Sequence, residues 1–259
     1  MSSCSRMDRS YRLSNGKVAA LFVDVDGTIA ECQPYYDSAI ERFGCLMTLC
    51  GFDDKEHAID TLREIDLSNT HINGFERDRF PNSMMATYAQ LCAEKSVPEQ
   101  PKITEMCQDI GNSPLFRQPK LFPNAALVLG RVHHHFLMIA VTIGNREAQQ
   151  YKIRQSGLDP IFDEVIITPN DDKGVRVREA IVDLNIDPRL SAFLGNSRRS
   201  DGQCLTETNF IHLPLEQGWS FDNSDLPANT GFQLFEVKSW IEAQDRAIDR
   251  LIRQRETRC

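Results

Sequence analysis

Leu21-Phe22-Val23-Asp24-Val25-Asp26-Gly27-Thr28-Ile29 is the stretch whose reading decides the fold of this chain. Up to Asp24 the run is apolar on both faces and contains a β-branched residue, which is the signature of a buried parallel strand. Strand period sends the Asp24 and Asp26 side chains to the same side at the carboxyl end of that strand. In open α/β sheets this is the edge that binds ligands. Two acids crowded there are costly unless a cation or a reaction uses them. A calcium loop expects further oxygen ligands within about a dozen residues. Ala30, Glu31 and Cys32 follow instead, and fit that role poorly.

Moving outward, the chain divides by rhythm. Tyr36, Ile40, Phe43, Met47 and Cys50 form one helical stripe, with Pro34 near its start and Gly51 just past its end. Asp53 with Glu56 reads as a capping box for a second helix carrying Ala58, Leu62 and Ile65. A third helix is expected from about Pro81, with Met84, Tyr88 and Leu91 on one face, and a short fourth around Ile103–Ile110. This places an all-helical insertion at residues 31–115. From Pro123 helices alternate with β-rich runs at Phe136–Thr142, Val165–Thr168, Ala192–Leu194 and Phe210–Leu213. That alternation predicts an α/β doubly wound parallel sheet built from residues 1–30 and 116–259. A C-terminal helix with Val237, Trp240, Ile241, Ile248, Leu251 and Ile252 is expected to dock on it.

Composition narrows the class of function. Across 259 residues, Lys and Arg number 29 against 37 Asp and Glu, a net charge of −8. This argues against a nucleic-acid groove or an anionic membrane surface. No apolar run reaches spanning length, and the first 20 residues carry Arg6, Asp8, Arg9, Arg12 and Lys17 without an apolar signal region. A cytoplasmic location is the expectation. The 8 cysteines are scattered, with no C-x-x-C pair, and read as structural thiols. His133-His134-His135 falls at the amino end of a strand, opposite the acidic edge, and reads as a solvated turn. Trp219 follows the last of these strands, at a position suited to a lid.

The opening stretch resembles the first motif of the haloacid dehalogenase-like hydrolase superfamily, aspartate-nucleophile phosphotransferases with a Rossmann-like core. Three more segments carry the resemblance, each at the end of an expected strand: Ala140-Val141-Thr142-Ile143-Gly144-Asn145; Lys173 after Pro169-Asn170-Asp171-Asp172; and Leu194-Gly195-Asn196-Ser197-Arg198-Arg199-Ser200-Asp201. The last is similar to the Gly-Asn-Ser-x-x-Ser-Asp version of one phosphatase-like branch. Tyr35–Ala39, Arg63–Leu67 and Gly74–Phe80 resemble that branch's cap segments, and the likeness runs from Val18 to Leu215. The chain departs after Asp201, where Gly202–Asn209 is shorter and more polar than the usual helix and glycine.

The resemblance implies a helical cap inserted after the first core strand and a set of roles. Asp24 is the expected nucleophile, Asp26 the acid and base, Thr142 the hydroxyl that holds phosphoryl oxygens, and Lys173 the cation that neutralises the nucleophile. Lys152 is the competitor for that last role, read as a packing residue in mid-helix. Gly27, Thr28, Gly144 and Asn145 are expected at the substrate, and Arg77 and Arg79 are candidates for its selection by the cap. Asp24, Asp26, Asn196 and Asp201 offer the hard oxygens that suit magnesium. Halide leaves without a proton, so an acid at Asp26 favours phosphoryl transfer over carbon–halogen cleavage. The leading expectation is a magnesium-dependent phosphatase of a small phosphorylated metabolite, with no nucleic-acid or membrane partner. A phosphomutase sharing the four motifs, or a non-catalytic binding protein, are the alternatives. Substrate identity and oligomeric state are not written in these motifs.

Overall fold

The first strand, β1 (Ala20–Val23), lies at the centre of the molecule because its side chains are wanted on both faces. In the computed structural model, which describes residues 11–215, 224–228 and 230–257, Leu21 and Val23 enter one apolar layer, and Ala20 and Phe22 the other. Around β1 stand β4 (Leu137–Ile143), β5 (Glu164–Thr168), β6 (Ala192–Gly195), β7 (Asn209–His212) and β8 (Leu234–Glu236). They form one parallel sheet in the order β5-β4-β1-β6-β7-β8, with Phe22 level with Ile139 on one side and Phe193 on the other. This is an α/β Rossmann-like sheet with helices on both faces. The strand order reverses on either side of β1, so the carboxyl ends of β1, β4 and β6 open onto a common crevice.

Four helices fill residues 33–112, after β1: α1 (Gln33–Leu49), α2 (Lys55–Asn73), α3 (Arg79–Glu94) and α4 (Pro101–Asn112). They bury a core of their own from Phe43, Met47, Leu62, Met84, Tyr88 and Leu91. A two-stranded antiparallel ribbon joins them to the sheet, β2 (Ala30–Glu31) against β3 (Lys120–Leu121), with Lys120 paired to Glu31 at 3.0 Å. After β3 the helices α5 (Ala125–Val132), α6 (Arg146–Gln155) and α7 (Lys173–Asp183) alternate with strands.

The structure corrects several local readings. The cap of α2 is Asp54, whose carboxylate accepts from the His57 amide at 2.8 Å, rather than Asp53 with Glu56. Helix α3 begins at Arg79, so Arg79 and Phe80 are helical and precede the expected start at Pro81. The edge strand β8 was not anticipated. The C-terminal segment starts after Val237 as α8 (Trp240–Ala243), passes through a π-helical turn over Gln244–Ile248 and ends in α9 (Asp249–Glu256). Its docking is as expected: Trp240, Ala243, Ala247, Ile248 and Leu251 are buried against the sheet layer. His133–His135 form a turn before β4. Trp219, Cys4 and Cys259 lie outside the described residues. Among the described residues no helix is long and apolar enough to cross a membrane.

Candidate active site

Asp24 emerges directly from β1 and is almost fully buried, held by its backbone amide to the Leu194 carbonyl at 3.0 Å. Its carboxylate is gripped from two sides. Thr28 donates through Oγ1 to Oδ2 at 2.8 Å, and Lys173 donates through Nζ to Oδ1 at 2.6 Å. Lys173 is the first residue of α7, at the carboxyl end of β5, and reaches Asp201 Oδ1 at the same 2.6 Å. The Asp201 carboxylate is fixed in turn by the Ser197 amide at 2.9 Å. Of the two competing lysines, Lys173 is therefore the one against the expected nucleophile.

The charges are unbalanced. Two buried carboxylates share one buried ammonium. Burial pushes the Asp24 carboxyl up to about 7, the neighbouring Asp201 adds to the rise, and Lys173 opposes it. Burial pulls the Lys173 ammonium down, but Asp201 and Asp24 more than offset this and hold it above the ordinary lysine range. The excess negative charge is what a divalent cation would neutralise.

The donor set fits such an ion. Thr28 has one hydroxyl proton and gives it to Asp24, so the network turns the Asn196 amide nitrogen toward Thr28 Oγ1 at 3.1 Å, the Asp26 carbonyl at 3.1 Å and Asp24 Oδ2 at 3.3 Å. Three oxygens thus converge on one point beside Asn196, and rotation of the amide would add a fourth. Among the described residues no three side chains of the His, Cys, Asp and Glu types cluster as ligands. The set is carboxylate, amide and carbonyl oxygens, the donors magnesium prefers. Two glycines make room for it. Gly27 has φ +80, and a β-carbon there would lie 2.8 Å from Asn196. A β-carbon on Gly195 would lie 2.3 Å from Asp201 Oδ2. Beneath the loop, burial holds His212 below the ordinary histidine range, and its Nε2–H donates to the Asn196 carbonyl at 3.1 Å.

Thr142, the penultimate residue of β4, is fully buried, and among the described residues its Oγ1 has no hydrogen-bond partner. An orphaned hydroxyl is costly, and a bound oxyanion would satisfy it. The remaining expected substrate groups are differently engaged. The Gly144 amide donates to the Thr168 carbonyl at 2.9 Å, and the Asn145 side chain caps α6 by accepting from Ala148 at 3.1 Å. Thr28 holds the Asp24 carboxylate, and its carbonyl accepts from the Trp240 indole at 3.1 Å.

Asp26 meets two residues that the sequence reading did not assign to it. Lys152 forms an ion pair with Oδ1, and Gln149 donates to Oδ2 at 2.7 Å. Both project from α6. Tyr36 of α1 stands near this pair, and burial pushes its phenol up to about 12.

Arg77 and Arg79 part company. Arg77 lines an open cleft of about 430 Å³ with Phe75, Gly144, Asn145 and Arg146, stacks 5.5 Å over Phe116 and reaches Glu147 at 3.3 Å. Arg79 is turned into the helical unit, where it pairs with Asp66 and donates to Thr70 Oγ1 at 2.9 Å. A guanidinium so committed braces α2 against α3. Arg79 lines neither this cleft nor the neighbouring one at Gly74–Glu76 and Asn170–Asp171.

No protein-family model matches the chain, and no curated protein matches it. Solved structures do. A haloacid dehalogenase-like family hydrolase from Xanthomonas campestris superposes with a TM-score of 0.73 at 18% identity, over 93% of this chain and 99% of that one. HAD-hydrolase YfnB from Bacillus subtilis, solved bound to magnesium, gives 0.59 at 16% identity over 88% and 97%. A HAD phosphatase from Thermococcus onnurineus gives 0.54 at 15% identity over 88% and 96%. L-2-haloacid dehalogenases share the same likeness. The chain has the haloacid dehalogenase-like hydrolase fold.

Proposed function

We propose that this chain is a magnesium-dependent phosphatase acting on a small phosphorylated metabolite. The observation that carries the reading is the buried group of Asp24, Lys173 and Asp201 at the carboxyl edge of the sheet, two carboxylates on one ammonium beside the convergent oxygens around Asn196. Asp24 Oδ attacks phosphorus in line and displaces the alcohol, giving an aspartyl-phosphate. Asp26 gives its proton to the departing oxygen, then takes one from the water that hydrolyses the intermediate. Thr142 Oγ1 and Lys173 Nζ hold the phosphoryl oxygens. Magnesium, when bound, would be held by Asp24, the Asp26 carbonyl, Asn196 and Asp201, and would supply the positive charge that lets a carboxylate approach a phosphate. Arg77, on the cleft beside Gly144–Arg146, selects the substrate's distal group.

The Asp26 carboxylate supports phosphoryl transfer over dehalogenation, because only an alcohol needs a proton on leaving. Turnover of p-nitrophenyl phosphate by the full chain, present with magnesium and lost with chelator, tests the reading. No release with magnesium, or equal release in chelator, overturns it.

A further inference from the structure

Asp26 is held at both carboxylate oxygens by one short helix, an arrangement that the phosphatase reading does not itself require. Lys152 Nζ meets Oδ1 and Gln149 Nε2 meets Oδ2 at 2.7 Å. Three residues apart on α6, the two side chains share one face of the helix. Neither donor is loose. Gln149 is buried, and its Nε2 also donates to the Ile143 carbonyl at 2.9 Å, tying it to the end of β4. The helix itself is fixed at its start by the Asn145 cap. Lys152 is 17% exposed and packed near Tyr36 and Cys32, whose proximity, with that of Asp26, raises its ammonium against the cost of burial.

A terminal carboxyl torsion is broad when unrestrained. Proton transfer to a leaving oxygen needs hydrogen-bond reach and direction, and a misplacement of about 1 Å can cost roughly a hundredfold. Two donors on opposite oxygens remove that freedom. The bracket also runs through β4, the strand that carries Thr142, so the acid is registered to the phosphoryl site.

We infer that Lys152 and Gln149 are positioning residues that aim the Asp26 carboxyl at the leaving oxygen; the inference rests on the phosphatase reading. They touch neither phosphorus nor the nucleophile. Their effect should therefore depend on how badly the leaving group needs a proton. Phenolate is a stronger base than p-nitrophenolate and depends more on the acid.

The experiment measures kcat/KM, which reports steps through leaving-group departure, for p-nitrophenyl phosphate and phenyl phosphate with magnesium. Lys152→Met and Gln149→Leu are compared with the wild type, with thermal midpoints recorded so that either variant serves if the other fails to fold. The expected result is a loss about tenfold or more larger for phenyl phosphate than for p-nitrophenyl phosphate. In an Asp26→Asn background the same substitutions should add little further loss, since they act through that carboxyl. Equal losses on both esters, losses that persist in full without the Asp26 carboxylate, or no loss overturn the positioning role. Absence of wild-type turnover on both esters overturns the phosphatase reading and this inference with it.

Discussion

Replacing Lys173 with methionine removes the ammonium that two carboxylates share, at nearly constant volume. Lys173 Nζ lies 2.6 Å from both Asp24 and Asp201, and its side chain is 3% exposed. At an effective dielectric of about 20, each contact is a Coulomb attraction of roughly 6 kcal/mol. The cost of burying the ions offsets most of this, and removing one partner of a buried pair leaves a net loss of about 3–5 kcal/mol. For a chain of this size that loss lowers Tm by roughly 6–15 °C. The cost must depend on pH, because a stranded carboxylate escapes by taking up a proton. Thermal unfolding in chelator at about pH 8 and about pH 5 should show the larger fall at the higher value. A Tm within about 2 °C of wild type at the higher pH, or equal falls at both, would refute the shared-ammonium argument.

The raised Asp24 carboxyl sets a second dependence. Its folded value of about 7 lies above the ordinary 3.8, so between these the folded state binds the extra proton. Stability contributed by this group is therefore greatest below about pH 4 and lost as pH rises toward 7, while magnesium needs the ionised form. The upward Tm shift produced by magnesium should be larger near pH 8 than near pH 5, and a shift that shrinks as pH rises contradicts the assignment. Arg79→Ala should cost about 2–4 kcal/mol in thermal or denaturant unfolding, since Asp66 loses its partner in a largely buried site. Arg77→Ala should leave stability within about 0.5 kcal/mol but raise KM for the physiological substrate; an unchanged KM would return Arg77 to the surface pair with Glu147.

The parts legible in sequence are those fixed by local periodicity. The Leu21–Val23 run reads as a strand buried on both faces, and from that the edge carrying Asp24 follows. Lys173 was readable because it opens a helix after a strand. What escaped depends on long-range placement. Lys152 sits in mid-helix 126 residues from Asp26, and nothing local marks which way it faces. β8 is three residues long, mostly exposed and paired on one side, so it carries no apolar pattern. Arg79 reads in sequence as a candidate for substrate selection or as a partner of the nearby Glu76 and Asp78, because Asp66, its actual partner, lies in the preceding helix.

Turnover by Asp24→Asn tests the central claim most directly. The amide keeps the shape of the side chain but is a poor nucleophile, and the fold should be preserved, with Lys173 still paired to Asp201. With magnesium and p-nitrophenyl phosphate, the predicted rate is below about a thousandth of wild type. Retention of more than about a tenth would contradict the account, because the nucleophile would then lie elsewhere.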